Sequence, residues 1–293
     1  MKYTNTEKLP QSVFDAIVAN TYDLSKIGDV VSVTALLKAP RVLIMERRHY
    51  EELEEDISEN IWRLLGSAVH SVIERSVDNG KRISERRLSL NIRGLEVSGK
   101  SDSFELEDGY LEDFKITSVW SIIFGDHGWE DQLNCYAYLW KKNGFAVNGL
   151  RVIAILKDWR KNEFRKDTNG NYPSIPIVCK DIPLWSEDRQ QEFLLNRVDK
   201  YLRTKDLPDD KLPPCTPEER WTTDTKWAIY KPNTKTAKKV CNTKEEINFW
   251  INSNPAPWAW EIQERIGTDK KCVEYCSVNK YCDYYKQKYG GGK

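Results

Sequence analysis

An α/β domain is what the periodicity of this chain predicts, and three observations predict it. Ile61, Leu64, Leu65, Ala68, Val69, Val72 and Ile73 recur at helical spacing, the mark of a helix with one apolar face to bury. Arg86 to Ile92 alternates polar and apolar residues, the period of a half-buried strand. Leu150 to Leu156 is a β-branched, apolar run typical of a strand buried on both faces.

Taken in order, the first thirty residues give little beyond a lead-in strand or loop over Tyr22 to Val33. Thr34 can cap a helix that Pro40 limits or kinks. Arg41, Arg47, Arg48 and His49, then Glu51, Glu52, Glu54, Glu55 and Asp56, read as a solvated helical surface. Ser58 caps the long helix, which is expected to reach about Val77. On it Gly66, His70 and Glu74 fall four apart and form one stripe, with the glycine leaving room one turn before the histidine. Arg93-Gly94 turns the chain into a hairpin over Leu95 to Thr117 whose loop is Asp108-Gly109, because both positions of a type I′ turn take positive φ. With that loop Leu106 faces Leu111 and Asp102 faces Lys115. Alternation puts Asp113 on the face of Lys115, and cross-strand pairing adds Asp102. Two carboxylates and an ammonium gather on one small face, while Glu112 points away from it.

A helix from about Trp129 to Lys142, ended by Asn143-Gly144, puts Gln132 and Tyr136 on one side. Ile175 to Ile182 is the returning strand, and Ser186 caps a further helix with Phe193, Leu194, Val198, Tyr201 and Leu202 inward. Leu207-Pro208 and Leu212-Pro213-Pro214 punctuate the chain. The expected division is a core over residues 1–206 with an N-terminal helical part, and a C-terminal region over residues 207–293 packed back on it. That region holds a small lysine-bearing hairpin (Trp227 to Tyr230 with Lys238 to Cys241), a short helix over Glu245 to Trp250 and a strand near Trp258 to Ile262.

Charge narrows the function. The 45 basic and 45 acidic residues cancel, which excludes a protein coated in positive charge but leaves room for a local basic channel. No apolar run is long enough to span a bilayer and no leader is evident, so a soluble, cytoplasmic protein is expected. Of seven cysteines, Cys135, Cys179 and Cys241 are scattered and read as packing or incidental residues. Cys272, Cys276 and Cys282 cluster, and Cys215, set between prolines, offers a fourth thiolate.

Four short motifs stand in order on predicted helix, strand, strand and helix: Gly66-Ser-Ala-Val-His70, Gly99-Lys-Ser-Asp102, Asp113-Phe-Lys115 and Gln132-Leu-Asn-Cys-Tyr136. The series resembles the PD-(D/E)XK nuclease superfamily, and within it the RecB-type exonuclease branch, over roughly Thr34 to Leu156. One Asp-x-Lys says little; four motifs in family order say far more. A serine precedes Asp102 where the superfamily's name has proline, while the Gly-x-x-Asp form of the branch is met. The resemblance implies a restriction-endonuclease-like core, a central mixed sheet flanked by helices, and a metal-dependent DNA exonuclease. It implies that His70, Asp102 and Asp113 bind Mg²⁺ or Mn²⁺, with the Phe114 backbone carbonyl as a further oxygen. Lys115 would position or deprotonate the attacking water; Gln132 and Tyr136 would contact the DNA backbone or brace the site; Glu74 would stand behind the ligands at most. Such ions take oxygen ligands and keep several waters, so two carboxylates and a histidine suffice to hold one.

The one-plus-three cysteine layout, Cys215 with Cys272, Cys276 and Cys282, is similar to that of iron–sulfur members of the same branch. It implies a [4Fe–4S] cluster that staples the small C-terminal region, with structural zinc as the alternative. No Walker A sequence is present, so no helicase motor belongs to this chain. The expected partners are DNA ends or single strands, with a separate recombinase, helicase or single-strand-binding protein. Compact stand-alone nucleases of this kind resemble those of bacteriophages, for which the host cytoplasm would be the compartment. The competing reading is a non-catalytic single-stranded-DNA-binding adaptor that kept the nuclease fold and grips its strand through Lys226, Lys231, Lys235, Lys238 and Lys239.

Overall fold

Arg93 and Gly94, with φ of 54° and 81°, form the two-residue hairpin turn on which the main sheet is built. They join Ile92 to its partner Leu95, as a type I′ loop should. The computed structural model describes residues 1–19, 30–75, 80–125 and 128–290, and the chain divides into two units, Met1–Pro208 and Asp209–Lys293. No helix among the described residues is long and apolar enough to cross a membrane.

The N-terminal unit begins with β1 (Lys2–Thr4), α1 (Gln11–Ala19), β2 (Val30–Ser32), α2 (Val33–Leu36), α3 (Pro40–Arg48), β3 (Glu54–Asp56) and α4 (Ile61–Glu74). It continues with β4 (Arg82–Ile92), β5 (Leu95–Glu105), β6 (Tyr110–Thr117), α5 (Val119–Phe124), α6 (Trp129–Lys142), β7 (Gly149–Leu156), α7 (Lys161–Lys166), β8 (Ile177–Ile182) and α8 (Glu187–Thr204). The fold is mixed α/β, with a central mixed sheet flanked by helices. Its order is β2-β5-β6-β7-β8, and β4 lies on β5. β2 with β5 and β6 with β7 are parallel, whereas β4 with β5, β5 with β6 and β7 with β8 are antiparallel. The core sits where α6 and α8 meet the sheet: Leu133, Ala137, Leu139, Trp140, Val152, Ala154, Leu194 and Val198 are buried. Each large apolar side chain so buried contributes about 1.5–3 kcal/mol before entropy is counted. Trp140 stacks on Phe104 at 4.4 Å between ring centroids, tying α6 to β5.

Several sequence expectations are corrected here. The β5–β6 loop is not the two-residue Asp108-Gly109 turn. Gly109 has φ 72° but Asp108 is not left-handed, and Gly109 N–H closes back on the Glu105 carbonyl at 3.0 Å. The loop therefore takes Leu106 to Gly109, and the register moves by two: Ser103 faces Glu112 and Phe104 faces Leu111. A shift of two preserves side-chain parity, so Asp102 still shares a face with Asp113 and Lys115, although extending the register sets it opposite Asp113. Ser32, not Thr34, caps α2, accepting from Ala35 N–H. Pro40 is the first residue of α3, where its missing N–H costs nothing. The charged run is not wholly solvated: Arg41 is buried, as is Glu46 within the same stretch, which Lys38 meets at 2.6 Å. Asp56, not Ser58, receives the N–H at the turn before α4, that of Ser58 itself. The amphipathic α4 buries none of its residues, with Trp62 and Val72 more than half exposed. Helical periodicity registers apolar spacing but not whether anything covers it. Val77 and the Tyr22–Asp29 part of the lead-in segment lie outside the described residues.

The C-terminal unit comprises α9 (Pro217–Arg220), β9 (Lys226–Tyr230), β10 (Lys239–Cys241), α10 (Lys244–Ser253), β11 (Glu261–Arg265), α11 (Lys270–Glu274) and α12 (Asp283–Tyr289). β9 pairs antiparallel with β10 on one side and β11 on the other. Ile229, Cys241 and Ile247 form a small core, with Trp227, Trp250, Ile251 and Trp260 packed against it.

Candidate metal centre and cysteine cluster

The centre lies where β5 and β6 part. Their described ladder has only the two register pairs Ser103–Glu112 and Phe104–Leu111. Past it, the Phe114 N–H donates instead to Asp102 Oδ2 at 2.7 Å. That bond fixes the Asp102 carboxylate and leaves Oδ1 turned to His70 Nδ1, 3.3 Å away. His70 comes from α4 and is part-buried; the hydrogen bond to Asp102 raises its pKa against the opposing effect of burial. One turn before it, a Cβ at Gly66 would meet nothing within 4 Å, so packing does not require a glycine there.

Asp113 is 4 % exposed. Burial pushes its carboxyl up to about 6, opposed by Lys115 and reinforced by Asp102. Lys115 Nζ stands 2.7 Å from Asp113 Oδ2, yet the approach lacks hydrogen-bond geometry, and that buried oxygen has no hydrogen-bond partner. The ammonium donates instead to Gln132 Oε1 at 3.2 Å, and Gln132 Nε2 donates to Tyr136 Oη at 3.0 Å. Tyr136 is buried, and burial pushes its phenol up to about 12, so it stays neutral and braces Gln132. Its ring comes so close to β5 that a Cβ at Gly99 would stand 2.8 Å from Tyr136 Cδ1. This gives the Gly99-x-x-Asp102 spacing a packing cause.

The structure thus brings His70, Asp102, Asp113, Lys115, Gln132 and Tyr136 together, with Phe114 joined through its N–H. Glu74 is exposed and makes no contact with this group among the interactions described. Glu112 pairs with Arg151 at 3.2 Å. One residue that sequence reasoning passed over also arrives: Glu85 of β4, whose Oε1 is 3.6 Å from His70 Nδ1. His70, Glu85 and Asp102 each offer a ligand atom within 4.8 Å of the others. Donors of this kind fit a hard divalent cation; Asp113, whose Oδ2 is paired with Lys115, is not among the three.

The four clustered cysteines all belong to the C-terminal unit. Cys215 precedes α9, whose N-terminus is a capping box of Thr216 and Glu219. Burial pushes the Cys215 thiol up to about 12, and Glu219, Cys276, Cys272 and Cys282 each push it the same way. Burial likewise takes Cys272 up to about 11, with Cys276, Asp269 and Cys282 adding to it. Asn279 donates to the Cys272 carbonyl at 3.2 Å, and the Cys282 N–H donates to the Asn279 carbonyl at 3.1 Å, which folds the Cys272–Cys282 segment on itself. Raised in this way, the Cys215 and Cys272 thiols stay protonated unless a bound ion draws off the proton. Cys135 and Cys241 are buried and Cys179 is exposed. Sequence reasoning missed Asp269, which is fully buried beside this cluster. Its Oδ1 accepts from Thr222 and Arg220 at 2.6 and 3.2 Å; its Oδ2 accepts from Tyr284, Lys288 and Tyr289 at 2.7, 2.8 and 3.1 Å.

No protein-family model matches the chain, and no curated protein matches it. Among solved structures it is similar to SSO0001, at 17% identity and a TM-score of 0.42, covering 64% of this chain and 83% of that one. It is also similar to a candidate exonuclease from Eubacterium rectale, at 12% identity and a TM-score of 0.31, covering 67% and 86%. At these scores neither likeness assigns a function, which is left to this chain's own residues.

Proposed function

We propose that this chain is a metal-dependent deoxyribonuclease of the PD-(D/E)XK type, hydrolysing phosphodiester bonds at DNA ends or on single strands in recombination, repair or replication. The observation that carries the reading is the convergence of His70, Asp102, Asp113 and Lys115 where β5 and β6 part, with one buried Asp113 oxygen 2.7 Å from the Lys115 ammonium but outside hydrogen-bond geometry. His70, Asp102 and Asp113 would hold Mg²⁺ or Mn²⁺, with the Phe114 carbonyl as a further oxygen. The ion, when bound, supplies charge stabilisation at the phosphate and activates water. Lys115 orients the attacking water and offsets the charge that grows on the phosphoryl oxygens. Gln132, held by Tyr136, fixes the ammonium where it stands, 2.7 Å from Asp113 Oδ2. The Phe114 N–H keeps Asp102 from rotating.

An assay with end-labelled and closed-circular DNA in Mg²⁺ or Mn²⁺ tests this. Linear substrate should be degraded and closed circles spared, and Asp113→Ala or Lys115→Ala should lower the rate by about a hundredfold or more. Full activity in either folded variant removes this site. The competing reading, a non-catalytic single-strand binder, draws on the stacking of Lys231 over Trp258 at 4.3 Å. It predicts DNA binding without cleavage in the same assay.

In the C-terminal unit Cys215, Cys272, Cys276 and Cys282 would hold a structural [4Fe–4S] cluster, supplying stability that so small an apolar core cannot. Protein purified without oxygen should be brown and contain iron. One equivalent of zinc and no iron would assign the site to zinc instead.

A further inference from the structure

We infer that Glu85 is a further ligand of the divalent cation, presented to it by a distorted rung of the β4–β5 ladder. The inference rests on the metal-dependent reading above and adds to it a residue outside the four motifs. β4 pairs with β5 in one register on both sides of the position: Ser84 faces Ser103 and Arg86 faces Ser101. No residue is inserted, yet the rung between Glu85 and Asp102 is missing, and Glu85 has φ of 52°. A side-chain-bearing residue in the left-handed region within a strand is strained, and such strain survives where it places a group for use.

What the distortion achieves is visible in the oxygens. The side chain is 10 % exposed, with Oε2 against Lys100 Nζ and Oε1 3.6 Å from His70 Nδ1. Asp102 is arranged alike: Oδ2 is occupied by the Phe114 N–H and Oδ1 is turned to the same imidazole nitrogen. Each carboxylate thus has one oxygen held by another donor and one turned to His70 Nδ1. This is how neighbouring donors orient metal ligands. Separations of 3.3 and 3.6 Å from His70 Nδ1 approach the roughly 3 Å between adjacent ligands on an ion whose bonds are about 2.1 Å. Two carboxylates facing each other across a ladder repel, and Lys100 offsets part of that repulsion before an ion does. Independently of this trio, the buried Asp113 Oδ2 has no hydrogen-bond partner, and Asp113 acts electrostatically on His70. Lys115 meets the charge of this carboxylate at 2.7 Å without satisfying its oxygen as a hydrogen-bond acceptor.

Calorimetric titration of the full chain with Mn²⁺ tests the assignment, using wild type, Asp113→Asn, Glu85→Gln and Glu85→Gly. Glu85→Gln should weaken Mn²⁺ binding by about tenfold or more. Glu85→Gly should weaken it as much while raising the melting temperature of the metal-free protein by about 2 °C, because glycine accepts the positive φ without strain. Unchanged Mn²⁺ affinity in both Glu85 variants, with Asp113→Asn still deficient, overturns the role of Glu85 and leaves the metal reading standing. A lower melting temperature in Glu85→Gly assigns Glu85 to the fold and also overturns it. No Mn²⁺ bound by the wild type removes both.

Discussion

Asp113 and Asp269 are both buried carboxylates, one in each unit, and their surroundings treat them in opposite ways. Asp269, fully buried, accepts from two tyrosines, a threonine, an arginine and a lysine. Burial alone would raise its pKa, but Lys288, Thr222, Tyr284 and Arg220 overcome that and hold it far below the ordinary range. Asp113 has one ammonium beside it, off the hydrogen-bonding direction, and Asp102 for a neighbour. Burial wins there, and the carboxyl is pushed up to about 6. Both are sealed from solvent, but Asp113 lies deeper in protein and has fewer donors, so depth and donor supply together set the two apart. A saturated carboxylate is a structural tie, whereas an under-supplied one is a place for a cation.

Replacing each aspartate by asparagine should break the comparison open, with the largest effect at Asp269. Asp269→Asn leaves Lys288 and Arg220 around an uncharged amide and removes acceptors that hold α9, Thr222 and α12 together. A cost on the order of 3 kcal/mol follows from breaking a buried ion pair by removing one partner. Hydrogen exchange should show α12 and the Cys272–Cys282 segment losing protection. Asp113→Asn removes a charge that the metal-free protein holds at a penalty, so its metal-free stability should stay within about 1 kcal/mol of wild type while Mn²⁺ binding and DNA cleavage fall. Equal destabilisation by the two substitutions would show that Asp113 is a structural tie as well.

How far this contrast could be read beforehand depends on how local its causes are. Asp102, Asp113 and Lys115 were placed on one face by strand parity alone, and parity survived a loop two residues longer than expected. The type I′ turn was sought at Asp108-Gly109, but both positive φ values occur at Arg93-Gly94. The pattern of α4 read as a core helix, although none of its residues is buried. Gln132 and Tyr136 were legible from four-residue spacing, while the packing of Tyr136 on Gly99 joins residues far apart in the chain. Glu85 and Asp269 carry no motif. One owes its place to a single missing rung, the other to donors that lie between 15 and 49 residues away.

The smallest effect, and the one that sharpens the contrast most, is in the sign of the pH dependence. A carboxyl whose folded pKa is depressed contributes stability above its unfolded pKa and loses it as pH falls through the folded value. Asp269, ordinarily 3.8, should therefore stabilise the C-terminal unit fully above about pH 4, with the contribution eroding below it. Asp113 runs the other way. Its folded pKa is raised from 3.8 to about 6, so the metal-free N-terminal unit bears a penalty above about pH 6 that is relieved as pH falls towards 4. His70 slopes the same way at higher pH: raised on folding from 6.5, it stabilises fully below about pH 6.5 and loses the contribution as pH rises through the folded value. Hydrogen exchange on the metal-free protein from pH 7 to 3, corrected for intrinsic exchange, should show β6 gaining protection between about pH 6 and 4. The Asp269 surroundings should hold constant over that range and lose protection only below it. Saturating Mn²⁺ should reverse the first slope, because protons then compete with the ion for its ligands, and leave the second unchanged. Parallel slopes in the two units would mean that Asp113 is as well supplied with donors in solution as Asp269, and its carboxylate would no longer be a place for a cation.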